Sequence, residues 1–233
     1  MLILGFESSA KSASVALMRD GELISHFFQK SGLTHSKTLL PMAEDLLKNA
    51  GFSFNDIDVF ACSCGPGSFT GIRIGVSAIK GLCWGADKNA VGVSTLEAMA
   101  LSVPPCEGRI ICGAMDARRN QVYNALFEIA PDGSLVRLCA DRAISLKELS
   151  EELGKIGKGV YVIGDGAELC CSFLLEKGFD AIMPPAELRL QTAVGVCRAA
   201  MKIEPSSAAD LLPVYLRLSQ AERERQEKLN LSE

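Results

Sequence analysis

The sequence predicts an α/β protein in which one plan is laid down twice: strands joined by hairpin turns, then helices alternating with strands. Three observations predict it. An apolar run over 57–64 feeds directly into Gly65-Pro66-Gly67-Ser68-Phe69-Thr70-Gly71 and then into a helical pattern. Asp20-Gly21 lies between two strand-like runs, the composition of a hairpin turn. Val103-Pro104-Pro105-Cys106-Glu107-Gly108 breaks all periodicity near mid-chain, and a second strand set begins beyond it. Two mixed sheets with helices on both faces fit this order.

Residues 2–6, 12–19 and 22–28 read as three strands, the last two joined at Asp20-Gly21. Residues 36–50 read as an amphipathic helix with Leu39, Leu40, Ala43, Leu46, Leu47 and Ala50 on one stripe, stopped by Gly51. In the loop after strand 57–64, Gly65 and Gly67 reach backbone angles closed to other residues and Pro66 fixes one φ between them. Ser68 or Thr70 can cap the helix over 70–85. Such a loop can hold an anion or make a tight buried turn, and both readings stay open here. It is not a Walker A loop, since no Gly-Lys-Ser/Thr follows.

A short strand over 90–93 leads to a capping box, Ser94 with Glu97, and a helix ending near Leu101. The break at 103–108 divides a first domain, 1–103, from a second, 104–218, and a charged tail, 219–233, expected to fray. In the second domain, strands are expected over 109–116, 121–129 and 134–142, with Pro131-Asp132-Gly133 as a turn. Ser145 with Glu148 caps another helix, 160–163 is a strand ending in Gly164-Asp165-Gly166-Ala167, and helices follow over 167–177 and 188–202.

Composition narrows the class. Of 233 residues, 48% are apolar, enough for a sizeable core, and no apolar run has the length of a membrane span. The apolar opening is ended by Glu7 and follows no basic residues, so it reads as a first strand and not a signal peptide. Nine cysteines, an odd number without Cys-x-x-Cys spacing, suggest reduced thiols in a cytoplasmic protein. A net charge of −4 argues against gripping nucleic acid unaided, with Arg118-Arg119 and the group Arg217, Arg223, Arg225 as local exceptions. The two histidines, His26 in a strand and His35 before a helix, carry no triad signature.

Gly65-Pro66-Gly67-Ser68-Phe69-Thr70-Gly71-Ile72-Arg73-Ile74-Gly75 resembles the signature of the TsaB family, bacterial threonylcarbamoyladenosine biosynthesis proteins. The resemblance continues, in order, through Leu4-Gly5-Phe6-Glu7-Ser8-Ser9, His35-Ser36 to Leu40-Pro41, Val91-Gly92-Val93-Ser94-Thr95-Leu96-Glu97, Met115-Asp116-Ala117-Arg118-Arg119 and Tyr215-Leu216-Arg217. It implies the two-lobed actin-like ATPase fold of sugar kinases and heat-shock ATPases, with a reduced second lobe. It also implies a non-catalytic subunit for modifying the tRNA adenosine next to the anticodon. Such a subunit pairs with a TsaD-type transferase, joins a TsaE-type ATPase in a larger assembly, forms a homodimer when alone, and meets tRNA only through the complex.

Against the transferase relative, the nucleotide machinery looks degenerate. Its candidate remnants are Glu7, Ser8, Ser9, Lys11, Gly65, Gly67, Asp116, Gly164 and Gly166. The relative carries two acids where this chain has Lys11 and Ser12, and a lysine cannot serve a magnesium ion. Its Ser-Gly-Gly-His-Thr turn is replaced by 115–119, and its histidine pair, at i and i+4 of a helix, falls on Thr95 and Met99. The expectation is therefore no metal and no cofactor for the chain alone, with ATP or ADP at an interface shared with a partner. Helices 36–50 and 70–85 are the expected interface, through Leu39, Leu40, Leu46, Leu47, Ile72, Val76, Ile79 and Trp84, because the second is apolar nearly all round. An active ATPase of the actin-like fold, a metallopeptidase-like enzyme, and a free-standing tRNA-binding module are the alternatives.

Overall fold

The computed structural model describes residues 1–118 and 120–217. The first lobe holds strands β1 (Leu2–Glu7), β2 (Ala13–Arg19), β3 (Glu22–Gln29), β4 (Val59–Gly65) and β5 (Asn89–Ser94), with helices α1 (His35–Ala50), α2 (Phe69–Ala86) and α3 (Thr95–Ser102). Its sheet order is β3-β2-β1-β4-β5, antiparallel on one side of β1 and parallel on the other. The second lobe holds β6 (Arg109–Asp116), β7 (Gln121–Ile129), β8 (Leu135–Arg137), β9 (Arg142–Ser145), α4 (Leu146–Ile156), β10 (Gly159–Ile163), α5 (Ala167–Glu176) and β11 (Ala181–Ile182). There the order is β11-β10-β6-β7-β8, with β9 also paired to β7. Read from β8, the second order repeats the first in strand direction, with β6 standing where β1 stands, β7 where β2 stands and β10 where β4 stands. This is the duplicated α/β plan of the two-lobed actin-like fold, and helices α4 and α5 are shorter than α1 and α2, their counterparts.

The helices form three layers around the two sheets. Leu2, Leu4 and Phe6 alternate along β1 and pack against Leu39, Leu46 and Leu47 of α1 and Ile72, Val76 and Ile79 of α2. Ile110, Cys112 and Ala114 of β6 do the same against Leu149 and Leu153 of α4 and Cys170 and Leu174 of α5. Between the sheets lies a shared inner layer. After α6 (Ala186–Arg189) the chain turns back as α7 (Ala193–Ala200), which covers Ile3, Ala16, Ala61 and Val93 of the first sheet. Helix α3 places Leu96 and Met99 against Ile111, Met115 and Phe127 of the second. Gly5 and Gly195 allow this layer to close: a Cβ on Gly5 would stand 2.6 Å from Cys197 Sγ, and one on Gly195 would overlap the Ala98 carbonyl oxygen. Burial pushes the Cys197 thiol up to about 12, and all nine cysteines are free and wholly or partly buried.

Local signals explain most boundaries. Asp20 and Gly21 both have positive φ, 49° and 89°, as a two-residue hairpin requires. Gly51 ends α1 in the left-handed conformation. Ser68 caps α2 by accepting from Gly71 N, and Ser145 with Glu148 forms a complete capping box.

Three expectations are corrected. The run 134–142 is not one strand: Arg137 and Asp141 turn toward the first lobe, splitting it into β8 and β9. At Ser94 only half of the capping box exists, because Glu97 is drawn to Arg137 (2.9 Å) while Ser94 Oγ donates to Asp141 (2.5 Å). The helix expected over 188–202 is interrupted: Gln191 donates to Asp165, and extended Thr192 starts α7 afresh.

The segment after α7 returns along the first lobe as a strap. Ser206 exchanges both backbone hydrogen bonds with Ala90, Val214 N donates to Cys64 O (2.7 Å), and Tyr215 stacks on Phe69 with centroids 4.4 Å apart. Arg217 Nη1 then reaches Ala117 O in the second lobe. The expected frayed tail lies outside the described residues.

Candidate functional site

The lobes enclose a cavity of about 550 Å³. Its walls are the β1–β2 turn (Ser9, Ala10, Lys11), the loop opening α2 (Gly67 to Thr70), the β6–β7 turn (Met115 to Arg118), and Tyr123, Asp165 and Arg217. The first two walls are locked together by the signature glycines. Ser68 N donates to Ser9 O (2.7 Å), and Ser8 Oγ donates to Gly71 O (2.9 Å). A Cβ on Gly67 would overlap the Ser9 carbonyl oxygen, one on Gly71 that of Ser8, and one on Gly75 would stand 2.6 Å from Ser8 Oγ. Close backbone packing therefore accounts for the glycine string.

Charge on the far wall is held by short-range geometry. Asp116 Oδ1 accepts from Arg118 N (2.7 Å), keeping Arg118 at φ 63°. Asp165 lines the cavity and is itself exposed, while the surrounding cleft walls desolvate its carboxyl. That desolvation pushes its carboxyl above the usual range, and nearby Asp116 adds to the rise while the Gln191 amide opposes it. Gln191 joins the lobes there, donating to Asp165 Oδ1 (2.9 Å) and accepting from Ser12 Oγ (3.5 Å).

Of the residues singled out from sequence, Ser9, Lys11, Gly67 and Asp116 come together at this cavity. Glu7, Ser8, Gly65, Gly164 and Gly166 are not in its walls. Gly65 abuts Val214 of the strap, and Gly164 and Gly166 pack on Ala114 and Asp116, making the turn that presents Asp165. Glu7 is wholly buried, with Oε1 accepting from Ser9 N (2.6 Å) and Oε2 without a hydrogen-bond partner. Burial raises its pKa against the opposing effects of Ser9, Ser63 and His35. Sequence reasoning named Asp165, Phe69 and Arg217 only within motifs or charge groups and did not single them out as site residues, and it did not name Tyr123. Asp165 had a signal, a carboxylate between two glycines after a strand; Tyr123 had none.

Thr95 and Met99 are wholly buried core residues. His26 Nε2 pairs with Ser14 Oγ (2.8 Å) and His35 Nε2 with Ala10 O (2.7 Å). Among the described residues no group of three or more His, Cys, Asp or Glu side chains is arranged to hold a metal ion, and no helix is long and apolar enough to cross a membrane.

The expected helix interface needs correction. Leu39, Leu46, Leu47, Ile72, Val76 and Ile79 are buried in the first lobe's own core, because the face of each helix that lies on the sheet consumes its apolar stripe. Leu40 and Trp84 remain exposed, Trp84 by 90%. A second hollow, about 520 Å³, runs between the outer faces of α1 and α2, lined by His35, Leu39, Leu40, Thr70, Arg73, Ile74, Ser77 and Ala78. Thr70 lines both this groove and the inter-lobe cavity.

Residues 29–158 match the family described as tRNA N6-adenosine threonylcarbamoyltransferase, TsaD. The chain is 30% identical over 223 residues to the Escherichia coli protein named tRNA threonylcarbamoyladenosine biosynthesis protein TsaB, covering 93% of this chain and 95% of that one. It is 29% identical to the Bacillus subtilis protein of the same name, covering 95% and 96%. Among solved structures, YeaZ from Pseudomonas aeruginosa superposes with a TM-score of 0.76 at 24% identity, over 92% of this chain and 99% of that one. A further structure, described as an uncharacterized protein with similarity to peptidase YeaZ from Pseudomonas aeruginosa, gives 0.79 at 25%, over 93% and 99%.

Proposed function

This chain belongs to the TsaB family of tRNA threonylcarbamoyladenosine biosynthesis proteins, and on that premise we propose that it acts as a non-catalytic subunit that pairs with a TsaD-type transferase through the outer face of α1 and α2. The observation that carries the pairing is Trp84. An indole 90% exposed on a helix is a large apolar surface left to water. It ends a stripe of Thr70, Ile74, Ser77, Gly81 and Trp84, spaced four, three, four and three residues apart, the repeat that seats one helix along another. Ser77, Ala78 and Gly81 are small, so a partner helix can approach closely, and Leu40 of α1 adds an apolar contact beside them.

The non-catalytic reading rests on chemistry. Thr95 and Met99 stand where the relative places metal-binding histidines, and both are sealed in the core. Lys11, at the cavity wall where the relative has an acid, brings a positive charge to the side from which magnesium would be held. The same surface serves a homodimer when the transferase is absent, since a two-fold contact uses one patch twice. A TsaE-type ATPase joins the larger assembly, ATP or ADP sits at a shared interface, tRNA is met through the complex, and the whole works in the cytoplasm. The test is reconstitution. Purified chain with threonylcarbamoyl-adenylate and tRNA should make no product, and adding the transferase should restore it. Product from the chain alone, or full activity of the transferase without it, contradicts the proposal.

A further inference from the structure

The strap ends in a side-chain clasp set between the α1–α2 groove and the inter-lobe cavity. Upstream it is fixed by its backbone and by one buried side chain: Ser206 pairs with Ala90, Val214 N donates to Cys64 O, and Leu211 packs over Gly92. From Tyr215 to Arg217 the backbone makes no hydrogen bond among the described residues. Side chains hold it instead. Tyr215 stacks on Phe69 at an interplanar angle of 14°, and its hydroxyl accepts from Arg73 Nε (2.7 Å). Leu216 packs on the inner cluster that includes Met115 and Ala117, and Arg217 Nη1 donates to Ala117 O. Phe69, Ala117 and Arg217 line the cavity, whereas Arg73 lines the groove. Direct contacts therefore run from the groove through Arg73 and Tyr215 to the cavity rim.

Arg73 is exposed, and among the described residues lining the groove it alone carries a permanent charge, with no acid beside it. Tyr215 offers its guanidinium a neutral acceptor. A carboxylate offers a charge-assisted bond, roughly twice as strong. We propose that an acidic side chain on a transferase helix seated in the groove takes Arg73 from Tyr215, and that the released strap end opens the cavity rim. The inference rests on pairing through α1 and α2 and adds the chemistry of the partner, a carboxylate facing Arg73. The strap upstream of Tyr215 keeps its backbone bonds, so the change is confined to 215–217. Because the coupling is reciprocal, whatever weakens the clasp strengthens the pairing.

The transferase is titrated into the full-length chain labelled with 3-fluorotyrosine, and binding is followed by fluorine NMR and calorimetry. The three tyrosines report separately: Tyr215 in the clasp, Tyr123 in the cavity wall, and Tyr161 lining neither hollow. Binding should move the Tyr215 signal to the unstacked position that Phe69→Leu gives in the isolated chain, and should shift Tyr123 with it. Tyr215→Phe keeps the ring but removes the hydroxyl, so it should bind the transferase about fivefold more tightly than the parent. Arg73→Met removes the cation and should bind at least about fivefold more weakly. Both side chains are exposed, and circular dichroism checks that the fold is unchanged. A parent that binds while Tyr215 stays stacked or Tyr123 stays unmoved overturns the proposal and leaves pairing standing. So does a Tyr215→Phe variant that binds no more tightly than the parent. A parent that never binds overturns both.

Discussion

Gly71 and Ser8 are packed so closely that the Ser8 hydroxyl donates to the Gly71 carbonyl at 2.9 Å while a methyl group on Gly71 would overlap the Ser8 carbonyl oxygen. The contact fixes the start of α2 against the β1–β2 turn and so sets one wall of the inter-lobe cavity. In a helix, Ala is ordinarily preferred to Gly by about 1 kcal/mol. Here the clash with backbone outweighs that preference, and Gly71→Ala should destabilise the chain by about 2–4 kcal/mol in urea unfolding. Gly81, in the same helix, faces open space. Gly81→Ala should stabilise the isolated chain by about 0.5–1 kcal/mol.

Glu7 makes stability depend on pH. Burial raises its folded-state pKa above the unfolded value, so its contribution is fully present below the unfolded pKa and is lost as pH rises through the folded one. Stability should fall as pH is raised above the ordinary carboxylate range. Glu7→Gln, which keeps the shape without the charge, should flatten that fall. Denaturant titrations from acid to mildly alkaline pH check it, and parallel curves for the two proteins would show that Glu7 does not cause the change.

Arg137 joins the lobes through Glu97 (2.9 Å) and pairs within its own lobe with Asp141 (2.5 Å), which in turn accepts from Ser94 of the first lobe; its guanidinium lies 4.8 Å from the Phe127 ring centroid. Its side chain is partly exposed, which moderates the effect. Arg137→Met should cost about 1–3 kcal/mol. A double-mutant cycle with Asp141→Asn should show coupling, because removing the arginine leaves two carboxylates facing each other's side of the clasp.

Metal analysis should find no stoichiometric iron or zinc in the purified chain, because Thr95 and Met99, at the positions where the resemblance implies the transferase's histidine pair, are buried core residues. Calorimetry with Mg-ATP should show binding weaker than micromolar, about −8 kcal/mol, since Lys11 lines the cavity where the resemblance to the transferase implies a metal-holding acid.

The fold was legible wherever one local signal decided the outcome. Asp20-Gly21, Gly51, Ser68 and Ser145 each mark a boundary that the structure shows. Periodicity failed where a long-range bond competed with local preference: Asp141 leaves its strand to meet Ser94 and Arg137, and Gln191 leaves its helix to meet Asp165. The apolar stripe of α1 was read correctly as a stripe, yet periodicity does not say whether such a stripe faces a sheet or a partner, and here it faces the sheet. At the cavity, Ser9, Lys11, Gly67 and Asp116 were legible as motif residues, whereas Arg217 arrives only because the strap returns to Ala117 across 100 residues of sequence.

Pairing through the α1–α2 face is the central claim, and sedimentation velocity on mixtures with the transferase tests it most directly. Trp84→Glu and Leu40→Asp alter side chains exposed in the isolated chain, so each variant should fold and melt like the parent. The parent chain should sediment with the transferase as a one-to-one complex, and each substitution should weaken it by about 2 kcal/mol or more, roughly thirtyfold. A complex that forms with undiminished affinity in both variants would contradict the account, as would a parent chain that never sediments with the transferase.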